Sequence, residues 1–583
     1  MNEIPEEDAA SKSRRRNFAF ISGAIAGVVT LLIALCVFLY IDPFGWNFLG
    51  LRRAEAAAEA IPLDAALYLS LDLGNITCEA LNPIVWAFSE EWEGEGKCAV
   101  DELIKEVDES MAEAWGLTFS DDVRPWIGES IALGWSDFVM DSYGSVKDVE
   151  MVIAVEVRKP DAADEFLLAL LEAISEETGE QIIEADYQNE TISYVDTVTD
   201  LEQYAFSRSG NMLLFSLGKG NIEAAIDAQE GESLADSTAF QDTLAKLPSG
   251  RMLTVYLDSS QIIGAFSGIL NSLGQRDAFE VLAEAFGPAH YEAGGLYVVD
   301  DGIRADMAFV FDPETLTEEM LTAYEYVGKQ PQTDSLLPED TLVYRVGSGI
   351  HRSVDGLQEN LRRMEGAGEL TAPLLFFEMT YGFHPIADFL AKLDGEWAFG
   401  ILPSSRGIWA EELDFPMGFV FLAGTSDPTR LLDVSESIAS LLEEYEVGHV
   451  KEVFNEKTTL YELVDMIDGD TVLFTYGVGE GYFLVGSTAH TLNELFTGGR
   501  SLADSERYIQ VWEAFPKGMT PVMYVDVQGL TTFIQQNLPA NLQPPFEGDA
   551  EQYLHPVTTF AVAGSPIEDG VSKAALILFI ETE

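Results

Sequence analysis

Ser233-Leu234-Ala235-Asp236-Ser237 recurs as Ser501-Leu502-Ala503-Asp504-Ser505, 268 residues further along the chain. The same spacing holds around this pair. Pro248 and Gly250 answer to Pro516 and Gly518, Tyr256 and Asp258 to Tyr524 and Asp526, and Asp301-Gly302 to Asp569-Gly570. Near the start of each copy the shift is 276, matching Pro62, Asp64 and Tyr68 with Pro338, Asp340 and Tyr344. Gly128-Glu129 matches Gly395-Glu396 at 267. Loop insertions and deletions produce such drifts, whereas chance does not keep so many landmarks in one order. The sequence therefore predicts one domain present twice, at residues 61–312 and 337–583, joined by a linker at 313–336.

Each copy reads as strands gathered into hairpins with helices between them. Residues 66–72 (ALYLSLD) alternate like a half-buried strand. Leu103, Val107, Met111 and Trp115 recur every four residues, an amphipathic helix ending at Gly116. Strands are expected at 130–136 and 150–158, then a helix over 160–174. Further strands follow at 191–195, 203–207 and 212–217, helices at 221–228 and 237–247, and a strand at 252–258. Asp301-Gly302 between alternating segments is a strong hairpin signal, and Asp569-Gly570 repeats it. The fold class is α+β, with antiparallel sheets backed by helices, because strict strand–helix–strand alternation is absent.

The chain has 583 residues, long enough for several domains at about 100–200 residues each. Its charge is unusual: 32 Lys and Arg against 99 Asp and Glu, a net of −67. Such a surface repels phosphate backbones, which argues against nucleic-acid binding.

Residues 18–41 (FAFISGAIAGVVTLLIALCVFLYI) are 24 in a row without a charge. A hydrocarbon core of about 30 Å needs roughly 20 apolar helical residues, so this reads as a transmembrane helix. Lys12, Arg14, Arg15 and Arg16 precede it and outnumber Arg52 and Arg53, which puts the tail at 1–17 in the cytoplasm. The rival is a cleaved signal peptide, whose apolar region of about 7–15 residues is shorter than this one. Residues 42–60 then form an alanine-rich juxtamembrane stalk. The tail nets to zero, so the whole acidic charge falls beyond the membrane. The expected location is the cell membrane, single-pass, with the bulk of the chain extracytoplasmic.

Cys78 and Cys98 lie in the exported part, where an even pair suggests a disulfide; two free buried thiols are the alternative. Asn75-Ile76-Thr77 and Asn189-Glu190-Thr191 match the glycosylation sequon, which matters only in a eukaryotic secretory pathway. Asp258 ends a strand and opens a helix, with Gln261 three residues on, a capping pattern that Asp526 shares. Asp236 and Asp504 precede helices and also read as N-caps. Residues 477–481 (GVGEG) precede a strand, not a helix, so they read as a hairpin turn and not a phosphate loop. Asp465, Asp468 and Asp470 lack the glutamate of a calcium loop, leaving a weak non-specific cation site or a plain acidic turn. The six histidines show no ligand spacing. No cofactor, metal site or catalytic residue is indicated. The acidic, aromatic stretch 86–95 reads as a solvated loop or a contact for a basic partner or calcium. The Pro-rich stretch 537–556 is the best candidate contact surface.

Taken together, these residues resemble a bacterial envelope family catalogued as domain of unknown function 3352. The resemblance rests on Pro62-x-Asp64 leading to Tyr68, on Pro125-Trp126-Ile127-Gly128-Glu129, on Ser-Leu-Ala-Asp, and on Tyr256-x-Asp258. It covers nearly the whole exported part and includes a single N-terminal anchor. Asp394-Gly395-Glu396-Trp397 of the second copy departs from it by lacking the Pro-Trp. The resemblance implies a fold and a place in the envelope, and carries over no active site.

Function is then expected to be non-catalytic, the binding or scaffolding of another envelope component such as a protein partner. The alternative is a carrier or sensor of an apolar ligand held in or between the copies. An enzyme using unidentified carboxylates ranks third. The charge itself predicts that the exported part melts lower in low salt, because counter-ions screen carboxylate repulsion. A melting temperature flat from low to molar NaCl would contradict this.

Overall fold

The computed structural model describes residues 55–75, 77–87, 98–140, 146–195, 204–264, 289–299, 302–317, 321, 326–351, 377–412, 414–465, 471–537 and 555–581. The expected tail at 1–17, the span at 18–41, Asp301, Asp468, Asp470 and residues 538–554 lie outside them, as does most of 86–95. Among the described residues no helix is long and apolar enough to cross a membrane. The chain divides into two compact units, 1–300 and 301–583. Both mix helices with strands, and the strand pairs described here are antiparallel.

The first unit holds β1 (Leu67–Asp72), β2 (Ile127–Met140), β3 (Val146–Val157), β4 (Ile182–Tyr187), β5 (Glu190–Val195), β6 (Tyr204–Ser209), β7 (Met212–Leu217), β8 (Leu253–Asp258) and β9 (Ala289–Val299). They pair in the order β9-β8-β1-β2-β3-β7-β6-β5-β4. Ile131, Ile153, Val155 and Leu213 pack with Val107, Met111, Phe166 and Leu170 from helices Ala99–Trp115 and Pro160–Thr178. Both helices stop at a glycine in the left-handed region, Gly116 (φ 68°) and Gly179 (φ 70°), where a side chain would be strained. Trp126 of the Pro-Trp motif is buried against Phe166, and its indole N–H donates to the Asp122 carbonyl at 2.7 Å.

The second unit holds β10 (Gly302–Phe311), β11 (Val343–Ser348), β12 (Glu396–Pro403), β13 (Met417–Gly424), β14 (His449–Phe454), β15 (Thr458–Val464), β16 (Val472–Gly479), β17 (Tyr482–Gly486), β18 (Thr520–Asp526), β19 (Val557–Gly564) and β20 (Val571–Ile580). Their order is β10-β20-β19-β18-β11-β12-β13-β17-β16-β15-β14. In this unit β10 runs along β20, from Gly302 opposite Phe579 to Val310 opposite Val571. Glu480 (φ 47°) and Gly481 (φ 85°) form the turn between β16 and β17, so the glycine-rich stretch is a hairpin.

The alanine-rich segment ahead of β1 differs from a stalk. Ala56–Ala60 is a 3₁₀ helix in which Ala57, Ala58 and Ala60 are fully buried, as is Ile61. Small side chains let this segment lie against the sheet, and the sheet makes room for it. Gly134 stands opposite Tyr68 in the β1–β2 register, and a Cβ there would come within 2.4 Å of Ile61 Cγ2. Glycine inside a strand often marks such a close approach. The same relation joins Gly400, Tyr344 and Leu337, with a hypothetical Cβ 3.1 Å from Leu337 Cδ2.

The two recurring sequence motifs meet at this point. Pro62 forms an antiparallel bridge with Ser233, and Leu234 N–H donates to the Ile61 carbonyl at 2.9 Å. In the second unit Pro338 bridges Ser501, and Leu502 N–H donates to the Leu337 carbonyl at 2.8 Å. Strand β4 is absent from the sequence reading. Its turn to β5 uses Gln188 and Asn189 at φ 47° and 70°, without the glycine that signals a tight hairpin.

The close approach at Gly134 yields a testable outcome. Gly134→Ala destabilises the first unit by roughly 1–3 kcal/mol through overpacking. Combined with Ile61→Ala, the loss in denaturant unfolding is smaller than the sum of the two single losses. Additive losses would refute the contact.

Candidate functional site

Buried ionisable groups are the natural place to look for chemistry. In the first unit the carboxylate of Glu55 is 12% exposed and faces the Arg251 guanidinium, 10% exposed, at 3.3 Å. Tyr68 Oη donates to it at 2.7 Å and Thr254 Oγ1 at 2.8 Å, and Ser70 Oγ is a further donor. Arg251 Nε in turn donates to Thr254 Oγ1 at 3.1 Å. Burial, and then the Glu55 charge, push the Tyr68 hydroxyl well above its usual range, so it stays a donor. The cluster spends its hydrogen bonds on the segment leading into β1. It locks that segment down.

The second unit builds its lock from other residues. Glu396 accepts from the backbone N–H groups of Gln332 (3.0 Å) and Thr333 (2.8 Å) and from Thr333 Oγ1 (2.5 Å). Thr333 Oγ1 lies 2.9 Å from Tyr344 Oη. Asp334 is 4% exposed, and Tyr508 Oη donates to it at 3.4 Å. Burial raises its carboxyl from 3.8 to about 6, opposed by the Ser335 N–H and reinforced by the Glu396 charge. Residues 332–336 thus lie within the unit, where the sequence suggests a linker.

Aromatic rings cover both locks. Phe240 meets Tyr68 and Tyr256 edge-on at 5.1 Å each. Tyr508, 268 residues later, meets Tyr344 at 6.1 Å and Tyr524 at 5.2 Å. Burial leads in raising the hydroxyls of Tyr256, Tyr344, Tyr508 and Tyr524 above their ordinary range. These tyrosines fill the interior.

The aspartates expected as caps divide into two kinds. Asp258 Oδ1 accepts from Ser260 N–H (3.0 Å) and Gln261 N–H (3.1 Å) at the end of β8. Asp526 Oδ1 accepts from Gly529 N–H at 2.7 Å and pairs with Arg507 Nη1 at 2.5 Å. Asp236 and Asp504 do not cap the helices after them; Ser237 and Ser505 hold that position. The two aspartates instead close capping boxes one turn earlier. Asp236 Oδ2 accepts from Ser233 N–H and Oγ, both at 3.0 Å, and Asp504 Oδ2 from Ser501 N–H (2.9 Å) and Oγ (2.7 Å). These bonds, the backbone one first, hold both carboxylates below their usual range.

Cys78 and Cys98 form a disulfide with Cα atoms 5.8 Å apart. Asn75 Nδ2 is engaged by Asp72 Oδ2 (2.6 Å) and the Arg251 carbonyl (2.9 Å), whereas Asn189 sits in the exposed β4–β5 turn. His384 Nδ1 accepts from Ile386 and Ala387 N–H at 3.2 and 3.1 Å, the work of a helix cap.

A surface cleft of about 310 Å³ opens on the second unit, lined by Arg507, Gln528, Gly529, Thr532, Phe533 and Gln536. Arg507 Nη2 donates to Gln528 Oε1 at 2.9 Å, and Gln528 Nε2 to Glu581 Oε2 at 3.1 Å. Phe533 is held edge-on by Phe415 at 5.5 Å. Thr532 and Gln536 are exposed. The lining offers hydrogen-bond donors and acceptors beside one aromatic ring, a recognition surface in character. Neither the cleft nor the two locks was identified from sequence. Glu55 is hidden in an alanine run and Asp334 in a linker-like stretch, and only the glycine opposite each tyrosine was an available signal.

A sequence profile of the family described as Protein of unknown function (DUF3352) matches residues 23–580. No curated protein matches. Among solved structures, crystal form I of TP0453 is 8% identical, over 46% of this chain and 82% of that one, with a TM-score of 0.22. Crystal form III is also 8% identical, over 47% and 88%, again at 0.22. A likeness that low carries no argument about function.

Asp334 generates a pH prediction. Its folded-state pKa, raised from 3.8 to about 6, means the folded protein holds this proton more tightly than the unfolded chain. Its contribution therefore favours folding at about pH 4 and declines as pH rises through about 6. Asp334→Asn removes on the order of 3 kcal/mol of pH dependence at most. Parallel unfolding curves for both proteins across this range would refute it.

Proposed function

The chain belongs to the DUF3352 family, and on that premise we propose that it is a single-pass, membrane-anchored, extracytoplasmic protein that binds or scaffolds another component of the cell envelope without catalysing a reaction. Residues 18–41 anchor it and residues 1–17 stay in the cytoplasm. The exported part is one domain in two tandem copies, 61–312 and 337–583. Support for the duplication comes from the shared pairing order, β8-β1-β2-β3-β7-β6-β5-β4 beside β18-β11-β12-β13-β17-β16-β15-β14, and from the Pro–Ser bridge in each unit.

One observation carries the binding reading. The aspartates that recur in both copies, Asp236 with Asp504 and Asp258 with Asp526, spend their carboxylates on capping boxes and helix starts, while Thr532 and Gln536 of the cleft do not recur. The capping groups serve the fold, and the exposed Thr532 and Gln536 are available to a partner. A carrier of an apolar molecule needs an enclosed cavity, and this cleft opens onto the surface with Arg507, Gln528, Thr532 and Gln536 around it. The carrier reading therefore stands second.

Crosslinking in intact native membranes, followed by capture and mass spectrometry of proteins, glycans and lipids, tests this. One recurrent protein or glycan partner is expected, captured less by a variant lacking residues 538–555. Co-capture of an apolar molecule alone would favour the carrier, and capture of nothing would reopen catalysis.

A further inference from the structure

Resting on the envelope-binding reading, we propose that the cleft on the second unit is a saccharide subsite, taking a neutral sugar unit of a larger glycan. Its volume of about 310 Å³ is at the small end of the roughly 300–1,000 Å³ typical of ligand pockets, room for one compact polar group. The lining suits a ligand rich in hydroxyls. Thr532 offers a hydroxyl and Gln536 an amide, each able to donate and accept, and both are exposed. Phe533, steadied by Phe415 at 5.5 Å and an interplanar angle of 70°, adds an apolar ring for the C–H face of a sugar.

Charge selects a neutral ligand. Arg507 is the one cation of the lining, and Asp526 Oδ1 already meets it at 2.5 Å while Gln528 Oε1 takes a second N–H at 2.9 Å. Its guanidinium is oriented, and its charge is balanced. An anionic ligand would have to displace Asp526 on a chain of net −67, whereas a hydroxyl needs only a lone pair or a proton.

A comparison of the two copies separates this lining from the demands of the fold. Ser501, Leu502, Asp504, Tyr524 and Asp526 each have the same residue 268 positions earlier. Arg507, Gln528 and Thr532 do not; Ala239, Ser260 and Gly264 stand in their places. The scaffold is kept and the lining is not, so the shared scaffold does not demand the cleft residues.

The test is binding of the detergent-solubilised full chain to a printed panel of neutral, N-acetylated and acidic oligosaccharides, with saturation-transfer NMR on the hits. Neutral or N-acetylated sugars are expected to bind with little dependence on salt. Gln536→Ala and Thr532→Val, both at exposed positions, each weaken binding about fivefold or more at an unchanged melting temperature. Binding confined to acidic sugars, binding that ignores both substitutions, or no binding overturns the saccharide assignment. If the variants instead lose a crosslinked protein partner, the cleft is a polypeptide site and the envelope-binding reading survives. If membrane crosslinking captures neither protein nor glycan, that broader reading fails on its own.

Discussion

The fold depends on a backbone bridge between the segment that leads into each unit's first central strand and the turn of Ser-Leu-Ala-Asp. Pro62 meets Ser233, and Pro338 meets Ser501. The bridge lays Ile61 and Leu337 across a glycine in the neighbouring strand, beside a tyrosine whose ring is buried. Each part constrains the others. The carboxylates of Asp236 and Asp504 stiffen the turn, the turn offers its N–H to the lead-in segment, and the missing Cβ lets that segment lie close.

Polar groups buried around this bridge follow one rule with two solutions. A buried carboxylate must be paired or hydrogen-bonded, because desolvation otherwise costs several kcal/mol. Glu55 answers with Arg251 and three hydroxyl donors. In the second unit Glu396 takes backbone N–H groups, and Asp334 is left weakly partnered beside it. The first solution is an ion pair and the second shares negative charge, so only the second places a buried carboxyl near neutrality. A pair of this kind fixes geometry more than it adds stability, since its Coulombic gain is largely offset by lost hydration.

This division between scaffold and surface bears on function. Caps and interior tyrosines are the residues that repeat, and repetition there is explained by packing and hydrogen bonding. In the cleft of the second unit Arg507 and Gln528 are tied to Asp526 and Glu581, whereas Thr532 and Gln536 are exposed and stand where the first copy has glycine. Acidity over the rest of the chain belongs to its composition as a whole. It favours solubility in a salty or calcium-bearing medium and selects against anionic partners, without naming a task.

Much of the fold was legible in the linear chain. Periodicity located the helix ending at Gly116, alternation located β1 and β8, and glycine turns located the hairpin at 480–481, because each is set by neighbours along the chain. The matched Pro-x-Asp and Ser-Leu-Ala-Asp motifs were legible for the same reason. What the chain could not show is that these two motifs touch each other, across more than 160 residues. Nor could it show that an alanine-rich stretch is interior, that Ser237 and not Asp236 caps a helix, or that Arg507 and Gln536 share a cleft. Local patterns record the conformations a segment favours. Which segments are brought together, and which carboxylates lose their water, was decided only when the sheets closed and burial set the cost of every unpaired group.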